Sequence, residues 1–338
     1  MFRSVAQLPL DYCVFKDRNK IFSWAPSGAV VFGNGVARQT GDTLKRLGIK
    51  KVTLVTDQGL VKAGIAEKII RSIVDVGIEM NVYDQCEPDS SIETVEKITG
   101  LSKDVDMIIG LGGGSSMDPA KAAAILVTNG GNIQDYQGCD KFKNTPLPIA
   151  AIPTAAGTGS ECTPFAVIAD RQREWKMPIG GTGIMPALAI CDPELTYSLP
   201  AGVTAATGMD ALTHAIEAYV SMMASDYTDG LALRAIKLVF DYLPRAYRDG
   251  NDVEARDHMA NASCMAGMAF ANAFLGVNHS LAHKLGAFHH IPHGIANALV
   301  LTDVMRYNAA EVPTKMGTFP QYQYPKTLAR YAEIGRFV

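Results

Sequence analysis

The stretch VDMIIGLGGGSSMDPAK, residues 105–121, decides the fold. A short apolar run ends in three consecutive glycines and then turns into a segment able to carry a helix, the pattern of a strand feeding a helix through a tight loop. Working outward, KKVTLVTD (50–57) reads as a buried strand, GLVKAGIAEKIIRSIVDVG (59–77) as a helix, IEMNVYD (78–84) as a strand and SIETVEKITGLSK (91–103) as a helix. The order is βαβαβ, so the strands are expected to be parallel with right-handed crossovers. PLPIAAIPT (146–154) and ALAICDPEL (187–195) are further apolar runs, each followed by turn residues.

Three bare glycines let the backbone approach a pyrophosphate, and the helix that follows offers its first amides and the positive end of its dipole. A dinucleotide phosphate is the natural occupant. The loop departs from the GxGxxG fingerprint, in which an acidic residue lies ~20 positions later; here the acid at a strand end, Asp57, comes first. Taken alone, the triglycine is also consistent with a turn that binds nothing, and by itself it decides little. IPTAAGTGSE (152–161) also follows an apolar run, and its hydroxyls and small residues suit a phosphate or a carboxamide as readily as a solvent-facing turn.

The pattern changes near residue 204. TAATGMDALTHAIEAYVSMM (204–223) sets Leu212, Ile216, Tyr219, Val220 and Met223 at helical spacing, with Thr204 as the cap, and nearly everything onward to Tyr307 reads helical. An α/β domain over 1–202 and an all-helical domain over 203–338 are expected. PTKMGTFPQYQYPK (313–326), with three prolines, reads as a loop.

Within the helical part, GMDALTH puts Asp210 and His214 on one face of a helix one turn apart, and His279 and His283 repeat the spacing in VNHSLAHKLGAFHHIPHG (277–294). Five of the chain's seven histidines lie in that second stretch. One carboxylate and several imidazoles, without thiolate, suit Fe(II) or Zn(II). A DxxxH pair is also a common intrahelical hydrogen bond, and spacing alone does not choose among the histidines. His258, among charges, reads as solvated, and His289 and His290 are expected to line or pack around the cleft, with no ligand role.

A chain of 338 residues is long for one ordinary core, which agrees with two domains. A net charge of −3 exerts no long-range pull on nucleic acid, so a small ligand is expected. Six cysteines without a CxxC pair read as free thiols in a reducing cytoplasm. MFRSVAQLPLDYCVFKDRNK (1–20) has no apolar leader core, and no run approaches ~18 uninterrupted apolar residues, so neither a signal peptide nor a membrane span is expected.

Taken together, GGGSSMDPAK, PTAAGTGSE, GMDALTHAIEAYVS and HSLAHKLGAFHHIPHGIAN resemble the iron-containing (group III) NAD-dependent alcohol dehydrogenases. The segment from NAFLGVNHS to RYAEI is particularly similar to the alcohol dehydrogenase half of bifunctional aldehyde/alcohol dehydrogenases. The resemblance implies a dinucleotide-binding parallel-sheet domain followed by a helical metal-binding domain, the dehydroquinate synthase-like architecture. It implies a primary alcohol bound to the metal as its alkoxide and hydride transfer to C4 of NAD, with Fe(II), or Zn(II), as the metal. Asp210, His214, His279 and His293 match the metal ligands, and His283 matches a neighbouring histidine implicated in proton relay. Gly112, Gly113, Gly114 and Ser115 match the pyrophosphate loop, while Asp118, Thr154, Thr158 and Lys176 match other cofactor contacts. Asp57 matches the adenosine-ribose acid, which favours NAD over NADP. A homodimer or higher homo-oligomer is implied. Family members normally continue for at least ~50 further residues of helix beyond the equivalent of RYAEI, whereas the sequence here stops at GRFV. That difference raises a catalytically silent assembly partner as an alternative, beside a zinc polyol dehydrogenase of the glycerol type.

Overall fold

The computed structural model describes residues 24–310 and 327–338. The N-terminal stretch read for a leader, Cys13 and the loop at 313–326 lie outside the described residues. Strands are β1 (Ala29–Phe32), β2 (Lys51–Val55), β3 (Glu79–Tyr83), β4 (Met107–Gly112), β5 (Gly138–Cys139), β6 (Ile149–Pro153), β7 (Phe165–Asp170), β8 (Trp175–Gly180) and β9 (Leu188–Cys191). Helices in the same part are α1 (Thr40–Arg46), α2 (Gln58–Lys62), α3 (Ile65–Val74), α4 (Ile92–Leu101) and α5 (Gly114–Asn129). The helical part comprises α6 (Ala201–Val220), α7 (Asp226–Arg248), α8 (Val253–Ala273), α9 (Val277–His289), α10 (His293–Ala309) and α11 (Thr327–Phe337).

Six strands form one parallel sheet in the order β1-β9-β6-β4-β2-β3. Val52, Leu54, Ile108, Ile109, Leu111 and Ile152 are fully enclosed because helices cover both faces, as continuous apolar strands require. Each such side chain contributes about 1.5–3 kcal/mol of burial. From β2 the chain steps outward to β3, then crosses back to β4 on the other side of β2. The sheet therefore reverses its direction of growth between β2 and β4, and the crevice beyond their C-terminal ends is where such sheets bind ligands. Asp57 follows β2 directly and the glycine loop follows β4.

A smaller sheet, β5-β8-β7, was not anticipated. β7 and β8 pair antiparallel across the turn at Arg171–Glu174, and α5 packs beneath them through Ala122, Ala123 and Ile125. The single helix expected over 59–77 is instead two, because Gly64 takes φ +71° and ends one turn before the next begins. Nor is Thr204 a cap. Helix α6 starts three residues earlier, after Pro200, and the Thr204 hydroxyl accepts a 2.8 Å hydrogen bond from the buried Arg256 guanidinium.

Small residues let the helices of the second part approach closely. Ala211, Ala215 and Ala218 of α6 pack with Ala232 and Ala235 of α7 and with Ala262, Ala266 and Ala269 of α8, all fully enclosed. Arg330 of α11 grips Asp229 of α7 with two bonds of 2.7 and 2.8 Å, a forked geometry that fixes the last helix. Among the described residues no single helix is long and apolar enough to cross a membrane; α8 and α9 pass that test only as a pair bent by 108°.

Candidate active site

Parallel strands β2, β4 and β6 deliver three segments side by side. Asp57 caps α2, its carboxylate accepting from the Leu60 amide at 3.0 Å. Next to it, Gly112 takes φ +146°, where a Cβ would meet the Ser116 side chain at 2.6–2.9 Å, while a Cβ on Gly113 would meet nothing within 4 Å. The backbone is thus bare at Gly113, and α5 starts with no side chain capping its first amides. That fits a phosphate, which those amides and the helix dipole would hold. The second loop leans on the first: the Thr154 amide donates to the Gly112 carbonyl at 3.1 Å, and Thr158 lies in van der Waals reach of Gly114.

This second loop is no solvent turn. A Cβ on Gly157 would strike Thr207 of α6 at 2.7 Å, and one on Gly159 would strike the Gly267 Cα of α8 at 2.6 Å. Backbone meets backbone where the two parts join. The Gly157 carbonyl lies 3.2 Å from His214 Nδ1 and so ties the loop to the histidine cluster.

That cluster is built from three helices. Asp210 and His214 come from α6, His279 from α9 and His293 from the first turn of α10, and their ligand atoms all lie within 4.8 Å of one another. Asp210 Oδ1 is 3.5 Å from His293 Nε2, 3.6 Å from His279 Nε2 and 4.0 Å from His214 Nε2. His214 stacks between the rings of His279 and Phe270, with centroids 4.4 Å away on each side. Burial works against the Asp210 charge, but His214, His293 and His279 outweigh it and hold the carboxyl well below the ordinary range. Burial pushes His214 down to about 3.

The donor set fits a divalent transition metal. Both Nδ1 atoms that have partners face acceptors, His214 towards Gly157 and His279 towards Glu217 Oε2 at 2.5 Å. A proton on each Nδ1 leaves the Nε2 lone pairs aimed at the centre, the arrangement outer partners impose on metal-binding imidazoles. The Asn297 side-chain amide reaches the same centre, donating to Asp210 Oδ1 at 2.7 Å and lying 3.1 and 3.4 Å from His279 and His293 Nε2. Buried His293 Nδ1 has no partner among the described residues.

His283 stands beside this group and outside it. Its ring centroid is 5.2 Å from that of His293 and 6.3 Å from that of His279. Burial, helped by His293 and His279, pushes it down to about 3, so the ring is neutral. His289 and His290 are exposed at the end of α9, where His290 takes φ +54°. His258 is half-buried, stacked on Tyr242 at 4.0 Å, and is not the solvated residue expected.

Two expected cofactor contacts are engaged within the protein. Asp118 accepts from Ser160 Oγ at 2.7 Å and from the Val167 amide at 2.9 Å. Lys176, on β8, pairs with Asp89 at 2.6 Å and lies under Gly286 of α9. Three residues went unread in the sequence. Glu217 holds His279 and the Asn278 amide, Asn297 holds Asp210, and fully buried Lys121 donates to Ser160, Thr163 and Phe165 oxygens at 2.6–2.9 Å. Simple spacing could have found them: Glu217 is three residues past His214, Asn297 four past His293 and Lys121 three past Asp118, each on its partner's helical face.

Comparison with known proteins agrees with this geometry. Residues 27–193 match the iron-containing alcohol dehydrogenases and residues 204–326 match the C-terminal part of the Fe-containing alcohol dehydrogenase family. The chain belongs to the iron-containing alcohol dehydrogenase family. It is 43% identical over 282 residues to the NAD-dependent methanol dehydrogenase of Bacillus methanolicus, covering 83% of this chain and 74% of that protein. To the aldehyde-alcohol dehydrogenase of Streptococcus pneumoniae it is 45% identical over 306 residues, 86% of this chain but only 34% of the longer protein. A crystal structure of 1,3-propanediol oxidoreductase superimposes with a TM-score of 0.84 at 37% identity, covering 94% of this chain and 86% of the other. Members of the family share the parallel sheet followed by a helical domain seen here.

Proposed function

We propose that the chain interconverts a primary alcohol and its aldehyde with NAD(H), working as a cytoplasmic homodimer or higher homo-oligomer whose two domains divide at residues 202/203. One observation carries the reading: the His214 ring of the Asp/His cluster is bonded to the loop that packs on the glycine turn. That contact supports cofactor and metal sites on two sides of one short segment.

Asp210, His214, His279 and His293 hold the metal, Fe(II) or alternatively Zn(II). When bound, the cation supplies Lewis acidity towards a hydroxyl or carbonyl oxygen. Gly112, Gly113, Gly114 and Ser115 seat the pyrophosphate on the start of α5. Asp57 takes the adenosine ribose and repels a 2′-phosphate. Thr154 and Thr158 border the nicotinamide end, and the bonds Asp118 makes to Ser160 and Val167 keep that loop in place. Lys176 closes the cofactor side beneath α9. Neutral His283 accepts the proton released from the alcohol and returns it in the reverse direction. Packing of α8 on the loop excludes water from the space between.

The names of the relatives, methanol and 1,3-propanediol among their substrates, support a short alcohol. The test is metal analysis of protein purified without oxygen, with NAD-linked assays on short alcohols, aldehydes and polyols. Iron with aldehyde reduction is the expected result. Zinc with polyol oxidation alone would replace this reading with the glycerol-type one, and no turnover with full metal would replace it with a non-catalytic role.

A further inference from the structure

Beside the second loop lies another buried cluster. Glu161 and Cys162 sit in the short turn after Gly159, Cys191 ends β9, and Cys264 lies in α8. All four are buried, with exposures of 5% or less. Glu161, Cys191 and Cys264 each offer a ligand atom, all within 4.8 Å of one another, and Cys162 Sγ is 3.2 Å from Cys264 Sγ.

We propose that Glu161, Cys191 and Cys264 form a second metal site, distinct from the Asp/His cluster, that takes a thiophilic cation of the zinc class. Three observations point to a ligand and away from thiols merely filling space. Among the described residues the Glu161 carboxylate is met only by its own backbone amide, an incomplete set of partners for a buried carboxylate. Ser263 Oγ is buried with no hydrogen-bond partner among the described residues, and it lines the same small recess as Glu161 and Cys191. That recess offers a way in and room for a water in the fourth position of a tetrahedral ion. Finally, Lys121 fixes a positive charge beside the turn by bonding the carbonyls of Ser160 and Thr163, the residues flanking Glu161 and Cys162. One carboxylate and two thiolates carry three negative charges, which a divalent ion reduces to one. Binding replaces the thiol protons by bonds of about 2.3 Å to the ion and releases those protons to solvent. The Cys162 thiol is left to hydrogen-bond Cys264.

Sulfur makes the two sites separable, because the Asp/His cluster contains none. Reduced, chelator-treated protein is titrated with cobalt(II) in the absence of oxygen. A thiolate-to-cobalt charge-transfer band in the near ultraviolet is expected in the wild type and in His279→Ala, and its loss in Cys191→Ser and Cys264→Ser. Should the serine variants not fold, the wild type decides alone: zinc is expected to protect two thiols per chain from a thiol reagent. No charge-transfer band, a band surviving both serine substitutions, or thiols equally reactive with and without zinc would overturn the site.

Discussion

Two buried polar groups, one in each part of the molecule, are finished to different degrees. Around Lys121 the chain closes on itself: the ammonium meets carbonyl and hydroxyl oxygens, and Asp118 is filled by Ser160 and Val167. Burial lowers Lys121 to about 8 and raises Asp118, yet every strong donor and acceptor has a protein partner. Around Asp210 the outer atoms of His214, His279 and Asn297 are tied down by Gly157, Glu217 and Asn278, while the inner lone pairs of three imidazoles converge on a carboxylate and one amide. A closed network contributes to a single folded state, whereas an open one is maintained for something the chain does not supply.

The widest effect should come from breaking the open group. His279→Ala is expected to lose the metal and lower kcat/KM at least about ten-thousandfold, roughly 5 kcal/mol of transition-state stabilisation. Its urea midpoint should stay near that of metal-free wild type; a large fall would mean that the cluster is as structural as the one around Lys121. Lys121→Met tests the closed group and should cost about 3–5 kcal/mol of stability, measured by urea unfolding, because it strands buried oxygens and Asp118.

A finer probe is Glu217→Gln. It keeps the size of the side chain but weakens the hold on His279 Nδ1, so metal affinity should fall about 10–100-fold in competition with a chelator. Unchanged affinity would make Glu217 a helix-packing residue only. The smallest change is expected from Asp57→Asn. Asparagine caps a helix as well as aspartate does, so stability should hold while preference for NADH over NADPH drops about tenfold, or 1.4 kcal/mol. Constant discrimination would remove Asp57 from the ribose.

The same contrast explains what could be read in advance. The strand before GGGSSMDPAK and the helix after it were legible because period and glycine placement are local properties. The i, i+4 pairs Asp210/His214 and His279/His283 were legible for the same reason. Which histidines meet was not, since α6, α9 and α10 are brought together only by tertiary packing; only the family resemblance singled out His293 over His283. Glu217, Asn297 and Lys121 escaped because a charged or amide residue in a helix ordinarily faces water, and only their spacing from His214, His293 and Asp118 hinted that they share an inward face. The β7–β8 pair was missed although FAVIAD and WKMPIG flank a charged turn, DRQRE, that could have marked a hairpin.

The contact of Gly159 with Gly267 bears on how such a molecule can be recombined. Each is the residue against which the other's absent side chain is measured, with Cβ positions 2.6–2.7 Å from the opposing backbone. A chimaera joining this sheet-bearing half to another family member's helical half would need glycine at both places. Crossing the seam with an alanine on either side would wedge the halves apart and carry His214 away from the loop carbonyl that orients it. The pair acts as a compatibility mark between modules, readable in any donor sequence before a fusion is made.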